Sequence, residues 1–149
     1  QPIISYNFGQ QNPVRVARTI RLALKTALGC GIFFFAATLV FNHQIVGLFI
    51  DKSYQAYDIA VNGIPYFAVG YLFFALNIVG IGYYQSIERA RRATVITLFR
   101  GTLFMLAGFL LLPPVLGVRG IWLAVPLAEL LTLLLIIGIY LKDSFAVRR

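Results

Sequence analysis

The sequence predicts an all-α integral membrane protein in which four transmembrane helices cross the bilayer. Of its 149 residues, 60% are hydrophobic and only 12% are charged. Soluble domains are about half apolar and about a quarter charged, so a soluble fold could not cover its surface with this composition. The apolar residues also form four runs, each long enough for the roughly 20-residue helix that crosses about 30 Å of hydrocarbon. Only helices satisfy the backbone of such runs in lipid, because an open sheet would leave its edges unpaired.

The chain begins with a segment, 1–21, that is predicted to be a basic cytoplasmic linker before the first span. Asn12 followed by Pro13 is typical of a helix start, with Asn12 as N-cap and Pro13 at the first helical position. The first span is predicted over 22–41. The next segment, 42–56, is too short and too mixed in polarity to span, so it is predicted to be an extracytoplasmic or interfacial loop.

The rest of the chain divides in the same way. Pro113-Pro114, followed by Gly117 and Gly120, predicts a short break between two apolar runs. The predicted segments are a transmembrane helix at 57–84, a basic cytoplasmic loop at 85–92, a transmembrane helix at 93–112, an extracytoplasmic turn at 113–117, a transmembrane helix at 118–141 and a cytoplasmic tail at 142–149.

The basic residues predict how the chain is oriented. The net charge of +8 would suit nucleic-acid binding if it formed a basic face on a polar domain, but these residues lie at the ends of apolar runs. One side of the four-helix arrangement has only Lys52 and Arg119, and cytoplasmic loops are the ones enriched in Lys and Arg. The opposite, basic side is therefore predicted to be cytoplasmic, and no nucleic-acid partner is expected. That side carries Arg15, Arg18, Arg21, Lys25, Arg89, Arg91, Arg92, Lys142, Arg148 and Arg149.

No pattern in the sequence indicates catalysis. The single cysteine, Cys30, excludes an internal disulfide and a cysteine-based metal cluster. A Gly-rich phosphate loop, a zinc-ligand spacing and a nucleophile elbow are all absent from the sequence. We therefore predict that the protein is not an enzyme and holds neither a cofactor nor a metal.

Glu129 is the only acidic residue deep within a predicted span. Counting helical rise places it about 18 Å from the cytoplasmic end of its span, near the midplane, and places Arg100 about 12 Å into the neighbouring span. A carboxylate at this depth is costly unless it is paired, hydrated or protonated. Three hypotheses stay open: an ion pair with Arg100 that fixes helix packing, a proton or cationic-substrate site in a water-filled cavity, and an exposed but inert acid.

A second set of candidates lies along the span 57–84. Its five members step by four, seven, four and seven residues, so they project within about 60° on one helical face. Such a stripe would line a cavity for flat cationic molecules through stacking and cation–π contacts. Alternatively, the asparagines hydrogen-bond between helices and the tyrosines lie at the membrane interfaces. The five residues are Asn62, Tyr66, Phe73, Asn77 and Tyr84.

Three ordered stretches resemble the MATE (multidrug and toxic compound extrusion) family of transporters. The opening QPIISYNFG, residues 1–9, resembles the family's signature at the end of its eighth helix. NIVGIGYYQSIERARRA at 77–93 and GIWLAVPLAEL at 120–130 are similar to the bacterial MepA-like branch. The resemblance covers essentially the whole chain.

This resemblance implies a transporter with twelve helices in two lobes around a central cavity. The chain would be a C-terminal fragment that supplies the end of helix eight and helices nine to twelve, most of the C-terminal lobe, and it would be inactive alone. The implied activity is export of small cationic amphipathic drugs in exchange for H⁺ or Na⁺ by alternating access, in the bacterial inner membrane. The implied partners are the lipid bilayer and the N-terminal lobe of the same polypeptide.

The sequence departs from several relatives in one respect. In those relatives the tenth helix contributes an acid to cation binding, whereas the span 57–84 has no acid in its membrane interior and Asn77 is its nearest polar candidate. This difference favours H⁺ over Na⁺ as the coupling ion. Two alternatives stay open: a lipid-linked saccharide flippase of the same superfamily, for whose cationic cavity Arg100 is the sole candidate while Glu129 argues the other way, and a non-transporting membrane scaffold or remnant.

Overall fold

The computed structural model describes the backbone of residues 1–147 and the side chains of residues 1–143. This part of the chain is helical and contains no strand. Residues 90–116 run on as one helix that includes a π-helical turn. The elements in chain order are α1 (Pro2–Gly9), α2 (Pro13–Val40), α3 (Asn42–Gly47), α4 (Gln55–Ala68), α5 (Gly70–Ser86), α6 (Ala90–Leu98), the π-helical turn (Phe99–Phe104), α7 (Met105–Leu116) and α8 (Val118–Val147).

Three of the described helices are long and apolar enough to cross a membrane, and a bent pair would make a fourth span. The three are Pro13–Val40, Ala90–Leu116 and Val118–Asp143. Large apolar side chains along them face outward, as Phe33 and Leu110 do with exposed fractions of 65% and 69%. Such surfaces are typical of a membrane protein, in which lipid or another part of the protein covers them. The predicted all-α membrane fold is confirmed.

The start of α2 is the one that the sequence predicts. Oδ1 of Asn12 accepts a hydrogen bond from the main-chain N–H of Arg15 at 3.1 Å, and Pro13 occupies the first helical position. The helix therefore begins well before the predicted span 22–41. The basic residues of the predicted linker lie on its first turns, where their side chains are exposed.

The span 57–84, predicted as one helix, is two helices, α4 and α5, that meet at a bend of 43°. Pro65 lies inside α4 and has no N–H to donate to the carbonyl of Val61, which weakens the ladder just before the bend. That carbonyl instead accepts a hydrogen bond from Nδ2 of Asn42 at 3.5 Å. Gly70, the first residue of α5, packs against Pro126 of α8.

The connection between α7 and α8 is also tighter than predicted. The sequence predicts a turn over 113–117, but α7 continues through both prolines, and only Gly117 separates it from α8. Pro113 and Pro114 have no N–H to donate to the carbonyls of Phe109 and Leu110, which weakens the last turn of α7, and Gly117 adopts φ +60, ψ −139, which glycine tolerates best. A Cβ atom at Gly120 would lie 2.4 Å from the carbonyl oxygen of Leu112, so this glycine lets the two helices approach closely.

The helices pack around α5, which contacts both α2 and α8. In the described part of the chain, α2 and α8 make no close backbone contact with each other. At the predicted cytoplasmic side, Arg89 and Arg92 form ion pairs with Asp143 near the end of α8. The predicted contribution of Arg148 and Arg149 to this basic side lies outside the described residues. A buried cluster joins the helix ends on this side: Ile4, Ile81, Tyr84, Ile87, Ala93, Ile96 and Ile136.

Candidate functional site

The candidate site is built around the carboxylate of Glu129, which lies inside α8 and is only 3% exposed. Arg100 reaches it from the neighbouring helix. Nη2 of Arg100 lies 2.7 Å from Oε1, and Nε lies 2.9 Å from Oε1 and 3.0 Å from Oε2. The guanidinium therefore engages the carboxylate side-on through two adjacent N–H groups, the geometry of a strong charge-assisted pair. The structure therefore brings together Arg100 and Glu129, which were predicted to lie at similar depths in the membrane.

Asn77 of α5 completes the coordination of Glu129. Its Nδ2 donates to Oε2 at 2.7 Å and to the main-chain oxygen of Glu129 at 2.8 Å. The side chain of Asn77 is fully buried. Oδ1 of the same amide is buried and has no hydrogen-bond partner among the described residues. One carboxylate thus joins the second, third and fourth predicted spans, and an unsatisfied acceptor lies beside it.

Arg100 lies in the π-helical turn Phe99–Phe104. In a π-helix the hydrogen bonds join residues five apart, so residues i and i+5 come onto the same face. The rings of Phe99 and Phe104 accordingly meet edge-to-face with centroids 5.7 Å apart. A Cβ atom at Gly101 would meet no atom within 4 Å, so the outer side of this turn is open. Single π turns in α-helices are frequent at functional sites.

Phe74 of α5 forms the other side of the guanidinium environment. The Cζ atom of Arg100 lies 4.8 Å from the centroid of the Phe74 ring, within the range of a cation–π contact. The Phe74 side is the open one, since this residue is 46% exposed whereas Glu129 is 3% exposed. The guanidinium therefore bridges a buried anion and a partly exposed aromatic face.

The five residues of the predicted stripe do not share one environment. Asn62 is exposed and donates to the main-chain oxygen of Asp58 in its own helix at 2.8 Å. Tyr66 is half-buried on α4, and Phe73 is half-buried on α5 beyond the bend. Asn77 contacts Glu129, and Tyr84 is buried in the cluster at the predicted cytoplasmic end. The bend between α4 and α5 divides the stripe, because residues before and after it project from different axes.

A cavity of about 1320 Å³ opens where α2 and α8 flank α5 without touching each other. Its walls are mostly apolar, with Arg21 and Lys25 among the lining residues of α2. Of the predicted stripe, only Tyr84 lines it. The apolar lining includes Leu24, Leu28, Leu76, Val79, Ile136 and Ile137.

Within the described residues, no group of three or more His, Cys, Asp or Glu side chains is placed to hold a metal ion. Around Glu129 the nearby polar groups are an arginine and an amide, and both donate to the carboxylate. A site of this kind can exchange one cationic partner for another.

Sequence reasoning missed two parts of the site and the partner of a third. Asn77 was predicted either to line a cavity or to hydrogen-bond between helices, but Glu129 was not named as its partner, although Asn77 lies seven residues before Tyr84, or about 10 Å from that helix end, close to the depth of Arg100. That match of depths could have indicated the contact with Glu129. Phe74 carried no signal beyond its apolar character, and no pattern in 99–104 predicts a π-helical turn.

Comparison with known proteins bears on both fold and family. One similar solved structure is an outward-facing conformation of a multidrug resistance MATE family transporter of the MOP superfamily, with a TM-score of 0.86 and 15% identity. Another, of MATE in complex with MaL6, has a TM-score of 0.83 and 14% identity. Each match covers 98% of this chain, which spans only 33% and 34% of the two solved chains.

At these identities the similarity shows the fold alone. No curated protein matches the chain significantly by sequence. The family is shown by a different comparison, in which the MatE family model matches residues 1–110, well over half of the chain. The chain therefore belongs to the MatE family.

Proposed function

We propose that this chain is part of a secondary multidrug transporter of the MepA-like bacterial branch, located in the inner membrane. The transporter exports small cationic amphipathic compounds in exchange for H⁺, with Na⁺ as the second candidate ion. Family membership and fold support a transporter rather than an enzyme. Since the chain spans about a third of the similar solved chains, transport in this proposal also requires an N-terminal lobe of the same polypeptide, and the chain alone is inactive.

The observation that carries the proposal is the buried carboxylate of Glu129 deep within a span, held by residues of two other spans. Ionisable groups inside a membrane domain are costly and usually mark an ion or substrate pathway. A purely structural ion pair remains the competing explanation, because paired charges also fix helix packing. The pathway hypothesis is favoured by the backbone around the pair, which includes a π-helical turn and lies next to a bent helix pair.

Irregular backbone matters because coupling requires two conformations. A transported ion shifts the balance between inward-facing and outward-facing states only if it binds them with different affinities. The contacts to Glu129 differ between the two states only if the helices that make them move relative to one another or change conformation locally. Arg100 lies in the π-helical turn and Asn77 lies about two turns after the bend between α4 and α5, so a change at either place would alter these contacts.

The ligands around Glu129 support H⁺ as the coupling ion. One carboxylate and one amide oxygen are available there among the described residues. Hard cations such as Ca²⁺ and Mg²⁺ take about six oxygen ligands, and Na⁺ likewise prefers several. Asn62, Tyr66, Phe73 and Tyr84 stay candidates for the substrate pathway.

The lipid-linked saccharide flippase is less well supported. A cavity for an anionic lipid phosphate needs uncompensated positive charge within the membrane. In the site around Glu129 the cationic residue is Arg100, and Glu129 neutralises it at 2.7 Å, whereas Arg21 and Lys25 line the separate cavity between α2 and α8. No charge is left there to attract a phosphate.

The test is ethidium efflux by the transporter that contains this chain, reconstituted in vesicles with an imposed H⁺ or Na⁺ gradient. Gradient-dependent efflux that is lost in Glu129→Gln, at an equal level of folded protein, would support the proposal and identify the ion. Glu88→Gln, the same change at an exposed acid, is the matched control and should transport normally. Normal efflux by Glu129→Gln would exclude this site as the coupling site.

A further inference from the structure

Both oxygens of the Glu129 carboxylate already accept hydrogen bonds in this structure. Its Oε1 accepts from Nε and Nη2 of Arg100, and its Oε2 accepts from the same Nε–H of Arg100 and from Nδ2 of Asn77. Three N–H groups therefore surround the carboxylate, and the charge of Arg100 already neutralises it. If Glu129 binds a cation during transport, Arg100 must first leave.

We infer that Arg100 is a tethered counterion that occupies Glu129 between transport events and competes there with the exported organic cation. This inference rests on the proposed function, since it assumes that Glu129 lies on the transport pathway. It assigns to Arg100 a role that packing alone does not require: setting how tightly, and in which conformation, the cation binds.

The position of Arg100 in the helix gives it a way to leave. Residues 99–104 form a single π turn inside an otherwise α-helical segment, and Arg100 is its second residue. Conversion of that turn to α-helix removes one residue from the turn and rotates one flank by about 100° relative to the other. The guanidinium would then move away from Glu129 without any change in the length of the chain. The open space beside Gly101 leaves room for this change.

The groups that remain after Arg100 leaves fit an organic cation. They are one carboxylate, the unsatisfied Oδ1 of Asn77 and the face of Phe74. A single cationic centre restores the charge balance, and an aromatic or alkylated cation stacks on the ring that Arg100 vacates. A buried acceptor without a partner is unusual in a folded protein, and a bound ligand with an N–H donor would satisfy it.

Direct binding to the purified transporter that contains this chain tests the inference, with ethidium as the probe. A tethered competitor lowers apparent affinity in proportion to the time it occupies the site. Arg100→Gln should therefore lower the ethidium Kd by about tenfold or more, while gradient-driven efflux slows because the cation is no longer displaced. Arg119→Gln, the same change at an exposed arginine of α8, should leave the Kd unchanged.

Removing Arg100 also leaves Glu129 buried without its partner, and that variant can fail to fold. Arg100→Lys keeps the positive charge but cannot donate two N–H groups side-on, so it competes less well. It should lower the ethidium Kd about threefold and decides the matter if Arg100→Gln is unfolded.

The outcomes separate this inference from the proposed function. A Kd that is unchanged or raised in the folded Arg100 variants, while Glu129→Gln abolishes binding, would overturn the tethered counterion but keep Glu129 as a cation site. An ethidium Kd that Glu129→Gln does not change would overturn both, because the carboxylate would then have no part in binding. A lowered Kd in Arg100→Gln that disappears in Arg100→Gln/Glu129→Gln is the result we expect.

Discussion

Nδ2 of Asn77 lies 2.7 Å from Oε2 of Glu129, although the two residues are 52 positions apart in the sequence. The same nitrogen lies 2.8 Å from the main-chain oxygen of Glu129. One amide therefore fixes both the side chain and the backbone of α8 against α5 at the level of the buried charge pair. Any motion of α5 relative to α8 must break or remake these contacts, so Asn77 links the helix packing to the state of Glu129.

Replacement of Asn77 by leucine should impair both stability and transport. It removes two hydrogen bonds to buried acceptors, and an unsatisfied buried group costs about 1–3 kcal/mol. Thermal unfolding of the purified protein should show the loss, and the drug preference of efflux should change. For stability, Asn62→Leu is the matched control, because Asn62 is exposed and bonds only within its own helix. Equal losses of stability in the two variants would contradict a special structural role for Asn77.

The two members of the ion pair should not be equally costly to replace. Arg100 has a side chain that is 18% exposed and rests on Phe74, whereas that of Glu129 is 4% exposed. After Glu129→Gln the arginine keeps an acceptor and can turn toward the open side. After Arg100→Gln an uncompensated carboxylate stays buried, which costs about 3–5 kcal/mol.

Unfolding midpoints of both single variants and of Arg100→Gln/Glu129→Gln measure this asymmetry. Arg100→Gln should be the less stable single variant, and the double variant should recover part of the loss. Additive effects would show that the two side chains do not interact in the folded protein.

The sequence predicts the helical membrane fold because composition and run length are enough to require it. Depth counting also identifies Arg100 and Glu129 as possible partners, since both lie on neighbouring antiparallel spans. The sequence could not predict the bend between α4 and α5, because Pro65 and Gly70 are each tolerated in straight membrane helices. The bend becomes evident only in the structure, where Gly70 packs against Pro126. The π-helical turn could not be predicted either, because residue propensities barely distinguish a π-helical turn from an α-helical one.

Close packing on Trp122 should make Gly63 intolerant of even a methyl group. A Cβ atom at Gly63 would lie 2.0 Å from the indole ring of Trp122, so the whole ring would have to move. Gly63→Ala should therefore lower the free energy of unfolding by about 1–3 kcal/mol, which a lower unfolding temperature would show. Gly29→Ala is the control, because nothing lies within 4 Å of that position and alanine is the better helix former. Equal stability of the two variants would show that Trp122 has another position available.

The contact between Phe99 and Phe104 provides a way to weaken the π-helical turn without touching the ion pair. These rings meet only because residues five apart share a face in a π-helix, and an aromatic pair contributes about 0.5–1.5 kcal/mol. Phe104→Leu removes the contact and should shift the turn toward α-helix. Arg100 would then spend less time on Glu129, and the ethidium Kd should fall about two- to tenfold, as expected from that energy.

Phe109→Leu, at an exposed ring of α7 beyond the turn, should leave the Kd unchanged. If Phe104→Leu does not change the Kd while Arg100→Lys lowers it, Arg100 competes for Glu129 without help from the π-helical turn.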